Sequence, residues 1–135
     1  MKEFFDTSVL IGAFWRGHPH HEATLKLLSA ANKRKSACAM HTLADVYATM
    51  TALPVKDVIP PDQAPLFVQE VRDRLTVVTL TEKEQAAALH FTSGRIYDAL
   101  LLRCAAKVKA EAIYTWNLKH FRAINPALAD RIHTP

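Results

Sequence analysis

Four short polar side chains stand in apolar surroundings: Asp6 in FFDTSVLIGAF, Asp45 in TLADVYATM, Asp98 in GRIYDALLL and Asn117 in IYTWNLKHF. Carboxylates are rarely buried without a partner. Asp6 follows Phe4 and Phe5 and precedes an uncharged run from Val9 to Phe14. It is therefore a surface accident, a helix cap or a functional acid at the end of a buried strand. Taken singly, the others also have ordinary readings. Asp98 suits a helix start, Asp45 a solvent-facing helix position, and Asn117 the cap of a short helix. As a set they point to different chemistry. Clustered carboxylates repel one another and normally need a cation between them. Oxygen-rich sites suit Mg²⁺ or Mn²⁺ rather than zinc. Such an ion polarises a phosphodiester and lowers the pKa of a bound water. Thr7, Ser8 and Thr115 add hydroxyls able to orient waters or carboxylates around that set.

For these residues to meet, the intervening elements must deliver them to one place. KEFFD (2–6) reads as a short strand ending at the carboxylate, and VLIGAFW as a helix that Asp6, Thr7 or Ser8 can cap. HPHHEATLKLLSAANKRK carries Ala23, Leu27 and Leu28 at helical spacing, and SACAM is apolar enough for a buried strand. HTLADVYATMTAL gives a helical stripe of Leu43, Val46, Tyr47, Met50 and Leu53, and PVKDVIPPD is a proline-broken loop. DQAPLFVQEVRDRL is helical, with Leu66, Phe67, Val71 and Leu75 at core-like spacing, and TVVTL (76–80) is a β-branched strand. TEKEQAAALHF opens with a capping signature at Thr81 and Glu84, and Gly94 interrupts. RIYDALLLRCAAKVKA is then a helix with Leu100, Leu101, Cys104 and Val108 inward. EAIYTW is a strand, NLKHF a turn or helix start, and RIHTP a final strand. Strands alternate with helices throughout. This predicts an α/β fold with a mainly parallel sheet, helices on both faces, and chemistry beyond the carboxyl ends of the strands.

The 135 residues are half hydrophobic and 22% charged, which fits one folded domain over 1–135 and argues against disorder. Seventeen Lys and Arg against thirteen Asp and Glu give a net charge of +4, which permits a polyanionic partner without demonstrating one. Cys38 and Cys104 fit no metal pattern and read as small apolar residues in a reducing compartment. No apolar stretch is long enough to span a membrane, and MKEFFD meets acid too early for a secretory leader. The expected location is the cytoplasm.

The stretches FFDTSVLIGAF, HTLADVYATM, GRIYDALLLRCAAKVKAEAIYT and TWNLKHF occur in an order that resembles the PIN-domain nucleases, most closely the VapC-like toxin ribonucleases. The resemblance implies a three-layer α/β/α fold with a sheet of four or five strands. It also implies an acidic constellation that binds Mg²⁺ or Mn²⁺ and hydrolyses RNA. Asp6 and Asp98 match the first and third acids and would ligate the metal. Asp45 stands where the family usually has Glu and would position or deprotonate a water, with a reach shorter by one methylene. Asn117 matches a fourth position held by Asp or Asn, and with Thr115 would orient waters. Its neutrality leaves one-metal and two-metal chemistry both open. Arg16, Arg95, Lys119 and His120 are then candidates to grip phosphates. The resemblance further implies a cognate antitoxin and a homodimer.

Other readings compete. Asp45 and Asn117 also suit a PIN-like RNA- or partner-binding module with impaired catalysis. An aspartyl-phosphate enzyme of the haloacid-dehalogenase type would need a second Asp two residues after the first, where Ser8 stands. The histidines of GHPHHE (His18, His20, His21) lack a metal-ligand spacing and read as an exposed loop and helix start. NKRK (32–35) reads as a solvated helix end. Trp15 and Trp116 suit core or interface packing before base stacking.

Overall fold

The adjacent phenylalanines of the opening strand set the layering. In the computed structural model, which describes residues 1–90 and 95–135, five strands alternate with seven α-helices. The strands are β1 (Glu3–Phe5), β2 (Ser36–Ala39), β3 (Thr76–Val78), β4 (Ala112–Tyr114) and β5 (Ile132–His133). The helices are α1 (Thr7–Phe14), α2 (His21–Ser29), α3 (His41–Met50), α4 (Ala64–Arg74), α5 (Glu82–Leu89), α6 (Ile96–Lys107) and α7 (Leu118–Ile124). A 3-10 turn (Pro126–Arg131) leads into β5. The expected interruption at Gly94, and Phe91 before it, lie outside the described residues.

The sheet has the order β3-β2-β1-β4-β5, and every neighbouring pair is parallel. Successive strand residues face opposite sides. Phe4, paired with Ala37 and Ile113, enters a core with Leu101, Leu102, Phe121 and Ile132. Phe5, paired with Cys38 and Tyr114, enters a second core with Leu10, Leu28, Val46, Met50 and Val71. Helices α1 to α4 thus cover one face, and α6, α7 and the 3-10 turn the other. This is the three-layer α/β/α arrangement of a PIN-like fold. A sheet buried on both faces needs apolar residues at consecutive positions, which is why the strands lack polar alternation.

Two expected core residues point outward. Leu66 is 70% exposed, because α4 buries a stripe made by Ala64, Phe67, Val68 and Val71, and Leu66 falls off its edge. Tyr47 is exposed for the same reason: Leu43, Val46 and Met50 form the inward stripe of α3. Elsewhere local signals and structure agree. Thr81 and Glu84 form the capping box of α5, each bonding the other's backbone N–H at 3.1 Å. Lys107 Nζ donates to Glu84 and to the Thr79 carbonyl, both at 2.8 Å, tying α5 to α6. The bond from Lys107 is the main cause that lowers the Glu84 carboxyl to about 2.

Gly12 marks the close approach of α1 and α2, since a Cβ there would stand 2.9 Å from Thr24 Oγ1. Both cysteines are buried free thiols, and burial pushes Cys38 up to about 12, so it stays protonated and inert. Among the described residues no helix is long and apolar enough to cross a membrane.

Phe4→Ala removes a fully buried ring from the centre of the sheet and is expected to cost about 3–5 kcal/mol in urea unfolding. Val55→Ala, at a position 94% exposed, is expected to change stability by no more than about 0.5 kcal/mol.

Candidate active site

From β1 the chain winds outward through β2 to β3, then crosses back to place β4 and β5 on the other side of β1. The winding direction therefore reverses between β1 and β4, and the crevice beyond their carboxyl ends is where such sheets bind ligands. Asp6 is the first residue after β1 and Thr115 the first after β4. Backbone bonds prolong both strands by one residue, from Asp6 N to the Tyr114 carbonyl and from Thr115 N to the His133 carbonyl, each at 3.0 Å.

Asp6 is only 5% exposed, yet its side chain is well supplied with donors. Oδ2 accepts hydrogen bonds from Ser8 Oγ at 2.7 Å and Thr115 Oγ1 at 2.9 Å. Each hydroxyl in turn accepts a backbone N–H, Ser8 from Trp116 and Thr115 from Asn117, both at 3.0 Å. A hydroxyl has one proton to give, and here both protons are directed at the carboxylate. Asp6 occupies the N-cap position of α1 without making a side-chain capping bond, so capping is not its role. Burial pushes its carboxyl above the ordinary value. The Ser8 and Thr115 bonds pull it back down, and the nearby charge of Asp98 raises it again.

Asp98 lies in the first turn of α6, half-buried, and Oδ2 accepts from His120 Nε2 at 2.7 Å. The Arg95 guanidinium donates to His120 Nδ1. The Arg95 guanidinium also lies 3.0 Å from His120 Nε2, so the imidazole stands between the arginine and the acid. His120 and Arg95 are thus engaged with Asp98. Arg16 and Lys119 are exposed.

Asp45 is half-buried on α3, and its closest polar partner is Thr7 Oγ1 at 3.4 Å, a long contact that Thr7 shares with Thr42 at the same distance. Asn117 is exposed at the N-cap position of α7. Its side chain makes no capping bond, and its backbone N–H serves Thr115. The structure thus joins Asp6, Ser8 and Thr115 tightly, sets Asp98 within electrostatic reach, and places Asp45 one long contact from Thr7.

Two aromatic pairs on this rim were not legible as pairs. His20 stacks on Trp116, with ring centroids 4.1 Å apart and planes 15° from parallel. His41 lies 5.7 Å from Tyr97, between the starts of α3 and α6. Both pairs join residues distant in sequence, and only the proximity of Trp116 to Thr115 hinted at the first.

The donors around Asp6 are carboxylate and hydroxyl oxygens. Among the described residues no three His, Cys, Asp or Glu side chains converge into a ready-made cation cage. This composition disfavours a structural zinc site. It suits a hard dication that keeps several waters and takes one or two carboxylates from the protein.

The PIN domain family profile matches residues 4–125. The chain belongs to the PIN domain family. Ribonuclease VapC27 of Mycobacterium tuberculosis is 32% identical over 111 residues, covering 78% of this chain and 78% of that protein. The crystal structure of VapC20 from Mycobacterium tuberculosis, described as a sarcin-ricin loop cleaving toxin, superposes with a TM-score of 0.73 at 15% identity. The match covers 92% of this chain and 95% of that one. VapBC2 from Rickettsia felis, solved with a DNA fragment from its promoter, matches with a TM-score of 0.61 at 20% identity, over 93% and 94% of the two chains. The two structures establish likeness of fold. With the sequence relative they make this a VapC-like PIN domain.

In the PIN domain the raised carboxyl of Asp6 has a consequence for stability. The native state holds this proton more tightly than the unfolded chain does. The cost of the buried charge therefore appears as pH rises from the ordinary Asp value of 3.8 and is complete above the native value. Without divalent cations, Asp6→Asn is expected to be more stable than the parent at neutral pH. That advantage should shrink to nothing near about pH 4 in chelator-treated urea unfolding.

Proposed function

We propose that this PIN domain is a divalent-cation-dependent endoribonuclease that acts as the toxin of a toxin–antitoxin pair. The observation that carries this reading is Asp6, a buried carboxylate held by two committed hydroxyls within electrostatic reach of Asp98, in a chain related to a ribonuclease.

Asp6 and Asp98 are the residues that would hold Mg²⁺ or Mn²⁺. When bound, such an ion supplies Lewis acidity toward a phosphate oxygen and acidifies a water. The remaining work belongs to the chain. Ser8 and Thr115 favour the charged form of Asp6 and orient it, because their bonds to Oδ2, at 2.7 and 2.9 Å, are much shorter than the 3.5 Å contact between the two hydroxyls. His120, itself bonded to Arg95, holds one oxygen of the Asp98 carboxylate. Asp45, which among the described residues is anchored by a long contact from Thr7, would accept a proton from the attacking water. Asn117 offers an amide oxygen and amide protons for orienting water or a ribose hydroxyl without adding charge. Arg16 and Lys119, with the net charge of +4, favour approach of the phosphate backbone.

The partners in this reading are an RNA substrate, a cognate antitoxin protein and a second copy of the chain. The apolar groove between α2 and α4, lined by Phe14, Leu25, Leu66 and Phe67, is a surface on which a protein partner fits, since Leu25 and Leu66 are exposed there.

Purified protein should cleave RNA when Mg²⁺ or Mn²⁺ is added, and chelation should stop it. Asp6→Asn and Asp98→Asn are each expected to lower the rate at least about a hundredfold. Calorimetry should register cation binding that Asp6→Asn abolishes and Asn117→Asp, which adds a carboxylate, tightens. Cleavage by Asp6→Asn at the parent rate would overturn the proposed site.

A further inference from the structure

Beside Asp6 stands an aromatic tier to which the hydrolysis assigns no task. Trp116 directly follows Thr115, and its backbone N–H is bonded to the Ser8 hydroxyl that serves Asp6. Its backbone is therefore tied, through the Ser8 hydroxyl, to the acid. His20 lies parallel on the Trp116 ring at 4.1 Å; His18 lies tilted 6.2 Å from Trp116 and edge-on to Trp15 at 6.0 Å. Trp116 is half-buried, whereas His20 is exposed.

The tier is built rather than incidental. The His20 carbonyl accepts from Thr24 Oγ1 at 2.7 Å, and its N–H donates to His18 Nδ1 at 3.0 Å. The next residue, His21, gives its Nδ1–H to the Gly12 carbonyl at 2.8 Å. Gly12 is also where α1 and α2 approach most closely, so the histidine segment is pinned to the helix that begins beside Asp6. His18, with Nδ1 occupied as an acceptor, stays neutral; partial burial and the neighbouring His20 and His21 hold its pKa below the ordinary value. The Trp116 indole N–H has no acceptor among the described residues, so stacking and the backbone bond hold the ring. An open depression of about 500 Å³ adjoins the tier, lined by Arg16, His18, Pro19, His20, His21 and Glu22.

We propose that the His20–Trp116 stack is a nucleobase subsite, which receives one unpaired base of the RNA on the exposed ring of His20 while Arg16 meets the adjoining phosphate. A flat ring backed by a half-buried indole and open to solvent is what a base stacks on, and stacking of this kind accepts any base because each has a π-face. A paired base keeps both faces inside its own helix. The subsite therefore selects single-stranded or looped RNA and favours purines, whose rings overlap His20 more fully. It makes His20 a specificity-determining residue with no part in the bond cleavage.

The identity of the ligand as RNA rests on the ribonuclease reading, but the subsite is testable by binding alone. Short single-stranded RNAs, each with one abasic position, are titrated against the protein in chelator and followed by anisotropy of an end label. One abasic position is expected to weaken binding to the parent roughly tenfold. His20→Ala should weaken binding of the intact strand by about the same factor and be indifferent to that abasic position. His20→Phe should restore both, and a duplex of the same sequence should bind all three proteins alike. The contacts that pin this segment use the His20 backbone, so His20→Ala should unfold in urea as the parent does.

In cleavage assays the His20→Ala loss should fall on KM and leave kcat within about twofold. Unchanged affinity of His20→Ala, failure of His20→Phe to restore it, or an abasic scan with no sensitive position would each overturn the subsite. Absent cleavage with an intact His20-dependent abasic effect would instead sink the nuclease reading and leave the subsite standing.

Discussion

The site depends on keeping one carboxylate charged in a place that disfavours charge. Asp6 is almost completely buried, and burial disfavours its charged form. Two hydroxyls oppose that tendency, and a backbone N–H bonded to each oxygen helps hold it with its proton toward the carboxylate. The N–H donors belong to Trp116 and Asn117, so the path of the backbone leaving β4 is part of what holds Asp6. The DTS at the start of the chain and the TWN near its end are thus one construction joined across the sheet.

That construction requires β1 and β4 to be neighbours, although more than a hundred residues separate Asp6 from Thr115. The sheet order supplies this by reversing the winding at β1, and the two phenylalanines make β1 the element that cannot move. Each anchors a different core, so a shift of one residue along the strand would exchange the faces of both and displace Asp6 from its donors. The rigidity of the carboxylate is in this sense a property of both cores together.

Much of this was legible before any coordinates. Strand and helix alternation, the capping box at Thr81 and Glu84, and the placement of Asp6 at a strand end all follow from local pattern, and local pattern is what sequence carries best. Leu66 and Tyr47 were misplaced because both adjoin true core residues on their helices, and a stripe read from spacing has no sharp edge. The relations between side chains of different elements were less accessible. Nothing in NLKHF says that His120 will bond Asp98 and leave Arg95 as its second partner, since that depends on how α6 and α7 meet. The same holds for the histidines of GHPHHE. Their spacing says nothing of a stacking partner, and only the docking of α2 on α1 reveals that one of them lies flat on Trp116.

The charge balance of the rim bears on how many cations the site could serve. Asp6 and Asp98 are the carboxylates whose charges act on one another, and the second already has an imidazole, itself bonded to Arg95, on one oxygen. Asn117 contributes no charge, and Asp45 is bonded toward Thr7. Two dications held close together need several carboxylates to offset their mutual repulsion, and the four motif positions provide three. A single protein-held ion with retained waters is the better match to this supply. A second ion would have to rely on phosphate oxygens of the substrate for its missing charge, so its binding would follow that of RNA instead of preceding it. The replacement of an acid by an amide at position 117 would thereby make full assembly of the site conditional on substrate, while leaving undisturbed the hydroxyl pair that keeps Asp6 ready.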